Sequence, residues 1–393
     1  MSTLNHVITT AAAVVSILVI ACSEPARRDE AEFTTPNPNS PDASTSSGGA
    51  PTSDGPDSPT STSSSTSAPD ETTTDDMATI ATTLNTEATQ ESTLTSSGGD
   101  ESTTGEHCDD HPDTLIGPEY SLGPKFAGHY TIYDLGEVPG IEGIIGGTVI
   151  GSADPDSLLI LGPPSLPPAR LYTIGLARGS CGHITGLVGI AQPIADVPQA
   201  ESVIFVRDDL MLLTVDPTNK LYQLKVGEST PATTYDFDVL GEVQHTAAGI
   251  GIVPADYGLP VPTLCFSSYP TGAFTCGELK TTGPLAEISG LTQMSTYSST
   301  GNGFTYVPDD LQLPGFASHS LLGSESGFGD VVAYRCDNHG IPIYESGETF
   351  VTGGTSNVSI DPTTGDIIIS TLHWPGEPFN HLLLVRPSAL TPN

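Results

Sequence analysis

The sequence predicts an all-β fold, built as a series of short sheets repeated about an axis. Three observations predict it. After about residue 112 the chain becomes a succession of short apolar runs separated by Pro, Gly and Asp turns, the pattern of many short strands. Within that region a six-residue pattern recurs, with its prolines (Pro254, Pro308 and Pro362) spaced 54 residues apart both times. Past residue 22, long runs of helix formers free of Gly and Pro are missing.

Composition agrees. Charged residues make up 15% of the 393, and Gly 42 and Pro 34 exceed the usual share, a balance that suits turns and strands better than helices. Lys+Arg 11 stand against Asp+Glu 47, for a formal net charge of -36. That excludes a nucleic-acid partner, because neutralising phosphates needs a basic groove that this chain cannot build. A polybasic membrane patch is excluded on the same ground.

The N-terminal element is an address. Residues Val7 to Ala21 form an apolar run of signal-sequence length, shorter than the ~20 residues that span a bilayer. It ends Val19-Ile20-Ala21-Cys22, which resembles the lipobox of bacterial lipoproteins, although no Lys or Arg precedes the run. The resemblance implies cleavage before Cys22, lipidation of its thiol and amine, and a cell-envelope location. Ser23 implies the outer membrane. Several acyl chains on one residue anchor stably where one would not. An ordinary secretory signal with a chance cysteine is the alternative.

Residues 22–111 read as a disordered linker dominated by Ser and Thr with Pro, Gly and acidic residues, as in the run from Ser61 to Ser67. Little apolar surface is available there to offset the entropy cost of ordering, and like charges extend the chain into a stalk. A stretch around Met77 to Leu84 has weak helical character.

The region 112–393 carries the repeat. Gly249 to Pro254, Gly303 to Pro308 and Asn357 to Pro362 align as first strands. Second strands follow at Thr263 to Ser267, Ser320 to Ser324 and Asp366 to Ser370, and third strands at Ala273 to Leu279, Asp330 to Cys336 and His381 to Arg386. Two earlier triplets, beginning near Gly146 and Ser202, bring the count to five units, with six as the alternative. One such unit has exposed edges and too little core, whereas radial packing covers its faces, so the expected architecture is a β-propeller. The last unit lacks a fourth strand, and the segment His129 to Gly136 is expected to supply it and close the ring. The turn Asp361-Pro362-Thr363-Thr364-Gly365-Asp366 resembles the inner-strand turns of NHL and SMP-30/gluconolactonase-like propellers. That resemblance implies the fold; the metal ligands of the lactonase-like members have no matching set here.

Past Cys22 there are five cysteines. Cys265 and Cys276 flank Pro270-Thr271 symmetrically, which predicts a cross-strand disulfide. Cys108 is expected to pair with Cys181 or Cys336, and spacing does not choose between them.

For chemistry, the segment His107 to His111 gathers ligand types but fits no structural zinc spacing, and a solvated acidic boundary accounts for it better. Asp154, Asp156, Asp361 and Asp366 offer oxygens suited to Ca²⁺ but lack the spaced calcium loop, and Asp beside Pro or Gly is usually a turn former. No nucleophile elbow, zinc-protease helix or phosphate loop occurs, so no catalytic residue or cofactor is identified. Asn357-Val358-Ser359 has the form of a glycosylation sequon. The loop His373-Trp374-Pro375-Gly376-Glu377 holds the only Trp and joins second and third strands, on the face where propeller ligands usually dock. Asp216, Tyr269 and Glu325 fall in the corresponding loops, and His245 enters an inner strand on the same face. Together with His373, Trp374 and Glu377 they form the expected binding surface, with Trp374 packing between blades as the plainer account.

Two functions are expected. The first is a membrane-anchored binding module for a protein, glycan or small molecule; the second is a metal-dependent propeller hydrolase or lactonase. A structural envelope protein whose acidic surface keeps it soluble is a third.

Overall fold

A computed structural model describes residues 110–113, 119–163, 169–215, 218–240, 246–296, 298, 301–325, 329–371 and 381–388. The signal, Cys22, Cys108 and all but the last two residues of the linker expected over residues 22–111 lie outside these. Among the described residues no helix is long and apolar enough to cross a membrane.

The structure is a five-bladed β-propeller. The chain enters through β1 (Ser121–Leu122) and β2 (Tyr130–Glu137), which join blades completed much later. Blade 1 is β3 (Thr148–Ile150), β4 (Ser157–Leu161), β5 (Arg170–Arg178) and β6 (Ile184–Asp196). Blade 2 is β7 (Ala200–Arg207), β8 (Leu210–Val215), β9 (Lys220–Lys225) and β10 (Thr233–Asp236). Blade 3 comprises β11 (Thr246–Ile252), β12 (Thr263–Tyr269), β13 (Ala273–Lys280) and β14 (Glu287–Thr296). Blade 4 comprises β15 (Gly301–Val307), β16 (Ser320–Glu325), β17 (Asp330–Arg335) and β18 (Glu348–Thr352), with β1 added at its edge. Blade 5 is β19 (Thr355–Ile360), β20 (Ile367–Thr371) and β21 (His381–Pro387), completed by β2. Every pairing is antiparallel, as short hairpin connections require.

The recurring Pro-terminated pattern is the innermost strand of blades 3, 4 and 5. The expected closure occurs: Thr131 pairs with Arg386, Ile132 with Val385 and Tyr133 with Leu384. A chain segment from before blade 1 thereby locks the last blade, leaving neither end of the ring with an unpaired edge. β1 extends the stitch to blade 4, with Leu122 opposite Val351.

Five apolar clusters sit one at each blade-to-blade interface. Leu161, Leu171, Met211 and Leu213 fill the gap between blades 1 and 2. Leu212, Ile250, Leu264 and Phe266 serve blades 2 and 3. Phe274, Phe304 and Tyr306 serve blades 3 and 4, and Val331, Phe350, Ile369 and Leu383 serve blades 4 and 5. Ile160, Ile174, Ile368 and Leu384 complete the circle between blades 5 and 1. Each interface buries several side chains that contribute about 1.5–3 kcal/mol apiece, an upper bound because the unfolded chain already hides part of them.

The predicted disulfide is present. Cys265 and Cys276 face each other across β12 and β13 with Cα atoms 4.1 Å apart, and are bonded. Cys181 is also disulfide-bonded, whereas Cys336 is a buried free thiol.

Candidate functional site

Near the axis the five inner strands approach one another closely, and small or polar residues accommodate the crowding. Gly249, Gly303 and Asn357 occupy the same place in the repeat. A Cβ added at Gly303 would lie 2.3 Å from the Asn357 Cγ, and one at Gly147 would lie 3.2 Å from its Nδ2. The carboxamide therefore fills space that the glycines leave. It is buried, its Nδ2 donates to the Ser202 Oγ at 2.7 Å, and its Oδ1 accepts the Val358 amide. Beside it the Thr148 and Ser359 hydroxyls share a 2.8 Å hydrogen bond between blades 1 and 5. The axis is thus plugged by neutral, mutually bonded groups.

Beyond this plug the inner strands diverge toward their C-terminal ends and enclose a cavity of about 510 Å³. Its walls include Ile150, Ile204, Phe205, Ile252, Tyr306 and Ile360, and its base includes Thr148, Ser202, Asn357 and Ser359. Such a volume is the usual size of a small-molecule site, with apolar walls and few orienting polar groups. Among the described residues, none that lines it is Asp, Glu, His, Lys, Arg or Cys. Tyr306 is the one titratable group, and its hydroxyl donates instead to the Gly340 carbonyl at 2.9 Å. Burial pushes its phenol well above the ordinary value, so it stays protonated. The cavity offers shape, apolar surface and neutral hydrogen bonds, and its described walls hold no carboxylate, imidazole or thiol.

The carboxylates considered for Ca²⁺ are engaged elsewhere. Asp361 and Asp366 are fully buried where blade 5 meets blade 1. Asp361 receives Arg178 at 2.5 Å together with the Thr363 amide and the Thr364 hydroxyl. Asp366 receives His183, the Ile184 amide and Arg386. Asp156 accepts from Arg178 at 2.9 Å, and Asp154 turns onto the Asp156 amide. Among the described residues no cluster of three or more His, Cys, Asp or Glu is arranged to hold a metal ion. The Asp-Pro-x-x-Gly-Asp turn thus works here as an inter-blade clamp. Close by, Asp110 accepts the Ser180 amide, which lowers its pKa, and His111 stacks on Tyr133.

Of the residues expected to form a binding surface, Tyr269 and Glu325 are described. Pairing of Thr246 with Tyr269 and of Gly301 with Glu325 puts both where the inner strands begin. Tyr269 is 42% exposed, and Glu325 accepts a hydrogen bond from the Tyr334 hydroxyl. Neither lines the axial cavity, which opens at the opposite face. Asp216, His245, His373, Trp374 and Glu377 lie outside the described residues. Sequence reasoning missed the cavity itself, because Ile150, Ile204 and Ile360 read the same whether they face the axis or a neighbouring blade. The Gly-Gly-Asn column at the repeat position was the available signal.

No family model matches the sequence, and no curated protein matches it significantly. Among solved structures it is similar to a gluconolactonase from Xanthomonas campestris, at 13% identity and a TM-score of 0.39, over 72% of this chain and all of that one. It is similar to Myxococcus xanthus glutaminyl cyclase at 11% identity and a TM-score of 0.40, over 65% of this chain and 96% of the other. The PQQ-bound aldose sugar dehydrogenase of Streptomyces coelicolor gives 11% and 0.33, over 64% and 82%. These three proteins carry three different chemistries, and at this level of similarity nothing of their activity transfers.

Proposed function

We propose that this protein is a binding module of the bacterial cell envelope, held to the outer membrane by lipid on Cys22 and presenting a propeller whose axial cavity takes a small, uncharged, mostly apolar ligand. The observation that carries this reading is the chemistry of the cavity wall: aliphatic and aromatic side chains around a neutral hydrogen-bonded base, with no charged group among the described lining. Burying an unpaired charge there would cost far more than apolar contact returns, so neutral ligands are selected. The lipobox-like Val19-Ile20-Ala21-Cys22 supports the anchor, and the acidic Ser/Thr-rich segment supports a spacer between membrane and propeller.

The test uses the full chain and a neutral solvatochromic dye such as Prodan. Saturable binding by the natural sequence, lost when Ile360→Trp narrows the mouth, supports the reading. Binding unaffected by that change would remove the axial site. Chelator-sensitive hydrolysis of a sugar lactone by the same preparation would replace the binding module with the hydrolase. For the anchor, radiolabelled palmitate incorporation that disappears in Cys22→Ala is expected, and an unlabelled natural protein would refute it.

A further inference from the structure

A second concavity lies on the same face, between blades 1 and 2. Leu159, Ile194, Phe205, Met211 and Leu224 wall a cleft of about 270 Å³, which adjoins the axial cavity through Gly151, Ser152 and Phe205. Leu159, Met211 and Leu224 are buried core residues that show one side to the cleft. Ile194 at its wall is 39% exposed and Val226 at its edge 53%, so apolar surface is left open to water. Around this apolar floor stand three carboxylates, Asp154, Asp208 and Glu228. No Lys or Arg lines the cleft, and none of the three acids is in an ion pair among the described residues. Asp208 accepts the Ser152 hydroxyl at 3.0 Å, which fixes it at the junction of the two cavities.

We propose that this cleft binds a small organic cation, with its apolar body against Phe205, Met211 and Leu224 and its ammonium or guanidinium group among Asp154, Asp208 and Glu228. The assignment rests on charge complementarity. An apolar floor alone would take any greasy group, but three uncompensated carboxylates at its rim repel anions and favour a cation over a neutral molecule of equal shape. The net charge of -36 adds a field that concentrates cations near the surface. The volume accommodates one aromatic ring with a short alkyl arm and little more.

The inference is independent of the axial site, and its test separates the two. Three probes of matched shape (4-phenylbutylammonium, 4-phenylbutanol and 4-phenylbutyrate) are titrated calorimetrically into the full chain at low salt. The ammonium probe is expected to bind about tenfold more tightly than the alcohol, and the carboxylate probe more weakly than either. The triple variant Asp154→Asn, Asp208→Asn, Glu228→Gln, exposed at every position, should melt at the natural temperature and lose that ranking. Thr173→Trp, which fills the cleft, should abolish binding of the ammonium probe, while Ile360→Trp at the axial mouth leaves it intact. Equal binding of the cation and the alcohol, no binding of the cation, or an unchanged ranking in the triple variant would each overturn the proposal.

Discussion

Asn357 in blade 5 reaches past blade 1 to hydrogen-bond Ser202 in blade 2, at 2.7 Å from Nδ2 to Oγ. The contact joins blades that are not neighbours in the ring, and it does so where Gly147 and Gly303 leave room for one carboxamide and no more. Each partner is buried, so removing one leaves the other unsatisfied. Asn357→Ala and Ser202→Ala are each expected to cost about 1–3 kcal/mol, with the double variant less destabilised than the sum. Urea denaturation of all four proteins in a double-mutant cycle measures the coupling, and strict additivity would show the bond to be incidental.

The clamp between blades 5 and 1 should matter more. Arg178 is 14% exposed and Asp361 fully buried, so loss of the carboxylate removes the buried half of the clamp and leaves the guanidinium to Asp156 and the Pro155 and Gly182 carbonyls. Asp361→Ala, which also frees the Thr363 amide and the Thr364 hydroxyl, is expected to destabilise by about 2–3 kcal/mol. Arg170 and Asp196 make the comparison, because both lie at the surface; Asp196→Ala should cost under about 1 kcal/mol. Thermal unfolding of the two variants should separate them clearly.

Cys336 supplies a pH test. Burial pushes its thiol up to about 12, and burial likewise raises Tyr306. The unfolded chain releases these protons nearer their ordinary values of about 8.5 and 10, while the native state holds them. Stability is therefore intact below about pH 8.5 and falls as pH rises toward 12. Denaturant midpoints measured from pH 7 to 11 should decline, and Cys336→Val should soften the decline. At pH 8, iodoacetamide followed by peptide mapping should find Cys336 unmodified until denaturant is added.

Ring closure by β2 is also testable. Tyr130 and Ile132 are buried in the interface between blades 4 and 5, and without β2 the backbone of β21 would present an open edge. A chain lacking residues 119–137 is expected to lose its cooperative thermal transition and to bind a hydrophobic dye. A melting curve like that of the full chain would mean the last blade holds without its fourth strand.

Three strands of each blade were legible in the sequence, and of the fourth, outer strands only β2 was. β8 (Leu210–Val215) and β20 (Ile367–Thr371) are buried throughout, so their apolar runs announce them. β14 carries Glu-Ile-Ser-Gly-Leu-Thr-Gln-Met-Ser-Thr, mostly exposed, and nothing in that composition separates an outer strand from a loop. β6 is half exposed and broken by Gly186, Gly189 and Pro193, and β18 is only five residues long, so neither shows a strand period. β2 was found because the last unit lacked a partner, an argument from topology. Asn357 shows the converse limit: its Asn-Val-Ser context has the form of a glycosylation sequon, yet only three-dimensional convergence of five strands reveals a buried plug. Asp361 and Asp366 likewise look like calcium ligands or turn formers until the opposing Arg178, His183 and Arg386 are seen.

The pairing of β2 with β21 sets an order of events for a chain made from its N-terminus. Asp134 and His381, which meet in that sheet, are 247 residues apart. The strand made first must wait single while four blades are synthesised, and the closing entropy of so long a loop is met only at the end. The circle has no way to shut before the last blade has been made, so a truncated chain is left with the partner strand of β2 missing.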